Sequence, residues 1–141
     1  MEIKYFDEKG QILEDLFSEK AKEIVDLISK PTNADKDRRG KVKKKLSYSQ
    51  IRKFYDEVLN FKAMLDNGKS FREILPYFKM LKAKANVSFE RDVINSNFKE
   101  FIDKNVDYVT EPKNIEEKEK RFNVFVTFFE AVVAYSKGKE K

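Results

Sequence analysis

Cysteine and histidine are both missing from these 141 residues. Their absence excludes disulfides, thiol nucleophiles, zinc sites of the usual ligand kind and imidazole acid–base chemistry together. Glycine occurs only at Gly10, Gly40, Gly68 and Gly138, so no glycine-rich loop is present to wrap a phosphate chain in backbone amides. No run approaches the roughly 18 apolar residues of a membrane span, and the charged N-terminal stretch lacks the apolar core of a signal peptide, so the expected compartment is the cytoplasm. Carboxylates stand as Asp7-Glu8, Glu14-Asp15, Asp35 with Asp37, and Glu116-Glu117. Pairs that close diverge on a helix, and their polar surroundings would not raise a carboxyl pKa. The expectation is therefore no catalytic residue, no metal and no cofactor.

What is present is phenylalanine and charge. Thirteen Phe and a hydrophobic fraction of 40% are too much for a disordered chain, while 39% charged residues suit a helical protein with a strongly polar surface. A chain this long can bury about two thirds of its unfolded surface around one core. The periodicity predicts a single all-α domain of about five helices in a bundle.

The clearest local signal begins at Leu46-Ser47-Tyr48-Ser49-Gln50-Ile51. Ser47 and Gln50 have capping-box spacing, and Leu46 and Ile51 stand where a hydrophobic staple would close the entry to a helix. Ile51, Phe54, Tyr55, Val58, Leu59 and Leu65 make one apolar face, leaving Arg52 and Lys53 on the solvent side. Upstream, residues 1–10 read as an arm that is not a helix of its own, and residues 11–30 as an amphipathic helix stopped by Pro31. Downstream, Gly68 suits a left-handed helix end, and Ser70 with Glu73 forms a second capping box ahead of Pro76, where a helix would kink or restart. Asn97 and Glu100 suggest a third cap, with a short helix ending before Pro112. Residues 115–135 form the last helix, whose Phe122, Phe125, Phe128 and Phe129 are read as core rather than as a base-stacking platform. Residues 137–141 are expected to fray. Neither an internal repeat nor a hairpin signal is visible.

The charge is concentrated. Residues 31–45 hold seven cations (Lys36, Arg38, Arg39, Lys41, Lys43, Lys44 and Lys45) against Asp35 and Asp37, a net +5 that equals the excess of the whole chain. This stretch is expected to be a mobile, exposed basic loop. Residues 69–91 form a second basic region with Lys69, Arg72, Lys79, Lys82, Lys84 and Arg91 against Glu73 and Glu90. Two readings stay open: phosphate contact, in which each neutralised phosphate releases counterions, or a solvated surface on a helical adaptor that binds only protein.

At Leu46-Ser47-x-Ser49-Gln50-Ile51-Arg52-Lys53-Phe54, with the basic run before it, the chain resembles the small subunit of the type III-A CRISPR effector, the Csm complex. Leu75-Pro76-Tyr77-Phe78-Lys79-Met80-Leu81-Lys82-Ala83-Lys84 and Phe129-Glu130-Ala131-Val132-Val133-Ala134-Tyr135 carry the same resemblance, which departs at residues 85–90. It implies a compact, non-catalytic helical subunit that stacks in several copies and helps hold guide RNA and target RNA in antiviral defence. Its partners would be further copies of itself, the backbone subunit that cuts target RNA and the large subunit. On this reading the phosphate or sugar contacts are Arg38, Arg39, Lys41, Lys43, Lys44, Lys45, Arg52, Lys53, Lys79, Lys82, Lys84 and Arg91, with sequence choice left to base pairing.

Overall fold

A computed structural model describes residues 1–139. Its helices are α1 Glu19–Ile28, α2 Tyr48–Asp66, α3 Phe71–Lys79, α4 Leu81–Glu90, α5 Ser96–Thr110 and α6 Ile115–Ser136. The last of these organises the rest. Phe122, Phe125, Phe128 and Phe129 of α6 are all at most 1% exposed, and they meet rings from three other elements. Phe122 lies against Phe71 and Phe78 of α3, Phe129 against Tyr55 of α2, and Phe128 and Phe129 against Phe101 of α5. A helix that is apolar over so wide an arc needs neighbours on several sides, and α6 has them. The all-α expectation and the assignment of this cluster to the core both hold.

Helix ends follow local chemistry, with instructive exceptions. Ser47 Oγ accepts the Gln50 amide at 3.3 Å, so the Ser47 half of the predicted box forms. At the other end of α2, Gly68 takes φ +99° and its amide and that of Lys69 donate to Leu65 and Met64 carbonyls, a Schellman closure. Ser70 and Glu73 form the full capping box of α3. Pro76 neither stops nor restarts that helix: α3 runs through it to Lys79, and the break falls at Met80, which separates α3 from α4. The cap of α5 is Asn95, not Asn97. Asn95 Oδ1 accepts the Phe98 amide at 2.9 Å, whereas the Asn97 side chain donates to the Leu27 and Lys30 carbonyls and so closes the end of α1.

The N-terminal prediction needs a larger correction. Residues 11–18 are not helical, because Leu13 donates to the Tyr5 carbonyl (2.8 Å) and Asp7 to the Gln11 carbonyl (2.8 Å), with a bridge between Phe6 and Ile12. This is a tight hairpin turn, and a second one recurs thirty residues later. Asp37 donates to the Lys41 carbonyl at 2.8 Å, Lys43 to the Asp35 carbonyl at 2.7 Å, and Lys36 bridges Val42. In both turns the aspartate Oδ1 accepts two amides further along, from Lys9 and Gln11 in the first and from Arg39 and Lys41 in the second. Gly10 and Gly40 take φ +80° and +81°, the left-handed conformation that glycine adopts without steric cost. The chain thus contains a duplicated Asp-x-x-Gly hairpin that strand alternation could not reveal, since each turn has only one bridge. Residues 137–139 form a short 3-10 turn; Glu140 and Lys141, the rest of the expected tail, lie outside the described residues.

Candidate nucleic-acid interface

The basic segment is folded into a hairpin whose backbone is tied to the body of the protein. Asp35 is fully buried, and its carboxylate accepts the Thr32 amide (2.8 Å), the Ser96 amide (2.7 Å) and the Ser96 hydroxyl (2.9 Å). Its backbone carbonyl accepts the amides of Lys43 and Lys44. One side chain therefore fastens the basic hairpin to the first turn of α5, where the helix dipole also favours an anion. The Thr32-x-x-Asp35 spacing is a local capping box, but nothing in the sequence marks Ser96, remote in the chain, as the other partner.

Lys44 is the second fastening. Its side chain is 16% exposed, and its ammonium donates to the Phe89 carbonyl (2.6 Å) and the Asp92 carboxylate (2.7 Å) and lies over the Phe89 ring at 4.2 Å. The Lys44 hydrogen bond, helped by Lys43 at 3.7 Å, holds the Asp92 carboxyl below its ordinary value. Asp92 itself takes φ +64° just past α4. Lys44 thus anchors the hairpin to the C-terminal end of α4, while Arg38, Arg39 and Lys41 project exposed from its tip with no ion pair among the described residues.

The two adjacent cations of α2 separate. Arg52 pairs with Asp56 at 3.2 Å and lies near the Tyr55 ring. Lys53, with no ion pair among the described residues, lines a groove of about 470 Å³ whose walls come from α2 and α4. Lys84 and Arg91 line the same groove, together with Phe54, Glu57, Met80, Ala83, Val87 and Ser88. Lys84 is bound to Glu57 across it. Arg91 caps α4 and directly precedes Asp92, the carboxylate that Lys44 of the basic hairpin holds. Lys82 points elsewhere, to Asp107 of α5 at 2.6 Å, a hydrogen bond that raises its pKa. Lys79, at the end of α3, and Lys45, at a separate cavity beside Tyr48 and Ser136, are exposed and outside the groove.

Of the twelve predicted cations, the fold therefore joins Lys53, Lys84 and Arg91 in one groove and sets Arg38, Arg39, Lys41 and Lys43 on the anchored hairpin. Lys44, Arg52 and Lys82 are engaged by protein partners. The arrangement can hold a polyanion by charge, and among the described residues no group of His, Cys, Asp and Glu could hold a metal ion. No helix is long and apolar enough to cross a membrane. No curated protein and no solved structure matches the chain significantly. A family model does, that of Csm2 Type III-A, over residues 22–141. That match spans α1 to α6 and takes in the basic hairpin and both walls of the groove, and the chain accordingly belongs to the Csm2 family, the small subunit of the type III-A CRISPR Csm complex.

Proposed function

We propose that this chain is a non-catalytic subunit that holds RNA within the Csm effector, contacting guide and target strands through phosphates and stacking in several copies with the backbone and large subunits in antiviral defence. The observation that carries this reading is the set of available cations: Arg38, Arg39 and Lys41 on the hairpin and Arg91 and Lys53 in the groove, none ion-paired among the described residues. Such a set suits a phosphate backbone and contains no side chains arranged to read base edges. Contacts of this kind alone give dissociation constants of about 10⁻⁴ to 10⁻⁶ M at physiological salt, and arraying several copies along one strand raises the combined affinity without new contacts.

Binding of unrelated RNA sequences to the purified chain across a salt series tests it. Affinity that ignores sequence and falls steeply with salt supports the reading. Absence of binding at low salt, or a strong preference for one sequence, overturns it.

A further inference from the structure

α4 is apolar on two opposite faces. Leu81 and Ala85 are fully buried, while Met80, Ala83 and Val87 recur along the outward side, Met80 50% and Val87 53% exposed. Tyr77, 63% exposed, stands one turn earlier on α3, so three of the six exposed large hydrophobics among the described residues lie in this one region. Single exposed apolar side chains are ordinary, but a contiguous stripe rimmed by polar groups marks a binding surface. Here the stripe forms a wall of the groove that also holds Lys53, Lys84 and Arg91, with the edge of the buried Phe54 in its lining.

A surface that only gripped phosphates would have no use for this stripe. Paired RNA hides its base faces in the stack and offers ribose and phosphate outward; an unpaired nucleotide offers a flat apolar base between two anionic phosphates. The groove has that complement, an apolar wall together with the cations Lys53 and Arg91, and its volume of about 470 Å³ lies within the roughly 300–1,000 Å³ of small-ligand sites. An acidic helix of a protein would also suit the charges, but lysine is depleted at protein interfaces, and Arg91 of the groove directly precedes Asp92, which holds Lys44 of the basic hairpin.

We propose that the α2–α4 groove takes an unpaired RNA nucleotide, its base against Met80, Val87 and Phe54 and its flanking phosphates at Lys53 and Arg91. The inference rests on the RNA-holding reading above and adds to it a preference for single-stranded RNA. Base-face contact is sequence-tolerant, so the preference concerns pairing state and not sequence. Glu57 faces the same space and holds Lys84; Glu57→Gln frees that ammonium and removes an anion, and tightens single-strand binding by about threefold or more.

The test compares three labelled probes of equal length at low salt: single-stranded RNA, the same strand with abasic positions, and its duplex. They are titrated with the full chain, with Met80→Ser/Val87→Ser and with Lys53→Ala/Arg91→Ala. Both serine positions are exposed, and unchanged melting confirms that this variant folds. The proposal expects wild type to bind the intact strand about fivefold or more tighter than the abasic strand. The serine variant loses that advantage and leaves duplex binding within about twofold. If the alanine variant weakens binding while the serine variant and abasic strand change nothing, phosphate holding stands and the base site is overturned. If neither variant weakens binding, both readings fall. Intact RNA binding by the serine variant together with failed assembly of the Csm complex assigns the stripe to protein and overturns the proposal.

Discussion

Tyr5 shows how much a single residue of this chain can carry. It is fully buried, its hydroxyl donates to Asn105 Oδ1 at 2.6 Å, and its ring meets Tyr108 and Phe128 edge to face. Burial, with the nearby Tyr108, holds its phenol well above the ordinary value. The folded state therefore keeps a proton that the unfolded chain gives up near pH 10. Above that pH the unfolded form binds fewer protons, and stability falls by up to about 1.4 kcal/mol per pH unit for this one group. Denaturation of Tyr5→Phe should cost about 1 kcal/mol at neutral pH through the lost hydrogen bond, with a shallower fall above pH 10. A residual slope remains, because burial also raises Tyr55. At the same scale, Lys53 and Arg52 separate although adjacent. Lys53→Ala should weaken RNA binding more than Arg52→Ala, whose guanidinium is held by Asp56, and titration of the two single variants at low salt checks this. Equal losses would mean that the Asp56 pair opens freely.

Among the elements, the basic hairpin gains most from its context. Taken alone it is a turn with one bridge; in place, Asp35 ties it to α5 and Lys44 to α4. Asp35→Ala leaves the half-buried Thr32 and Ser96 donors without their acceptor and should destabilise the protein by about 2 kcal/mol. Amide exchange at Lys43 and Lys44, whose donors meet the Asp35 carbonyl, should quicken beyond what the global loss explains. Unchanged exchange there would mean that the hairpin holds its shape without the anchor. Such anchoring matters for binding, since cations carried on a tied-down backbone lose less freedom when they meet a phosphate backbone. The N-terminal hairpin shares the backbone pattern but carries Asp7, Glu8 and Lys9 where the basic one carries Asp37, Arg38 and Arg39. One turn geometry thus displays two kinds of charge.

For the whole molecule, the prediction concerns how the hairpin and groove add. If one strand crosses both, neutralising Arg38 and Arg39 and, separately, Lys53 and Arg91 should each reduce the slope of log affinity against log salt by about 1.4 for single-stranded RNA. The fourfold variant should lose about twice that, because the two sets belong to different elements and share no partner. A slope insensitive to the hairpin pair would confine the interface to the groove.

Much of this protein is legible in its residues taken in order. The lack of cysteine and histidine, the phenylalanine-rich last helix, the Ser47 and Ser70 caps and the Gly68 stop all act over a few residues or through composition, and the fold honours each. The cap of α5 and the short α1 differ from the local pattern because Asn97 and Leu13 bond to Leu27 and Tyr5, partners that such a pattern does not contain. The duplicated hairpin escaped for a related reason: its mark is a sparse Asp-x-x-Gly spacing, without the alternation that longer strands impose. The sequence could place twelve cations in two basic regions, since charge is a property of each residue. The Arg52–Asp56 pair, four residues apart on α2, is within reach of the sequence; only the tertiary structure decided that Lys44 and Lys82 are taken up, because Asp92 and Asp107 reach them from other elements, and the α2–α4 groove exists only once the fold sets those helices facing each other.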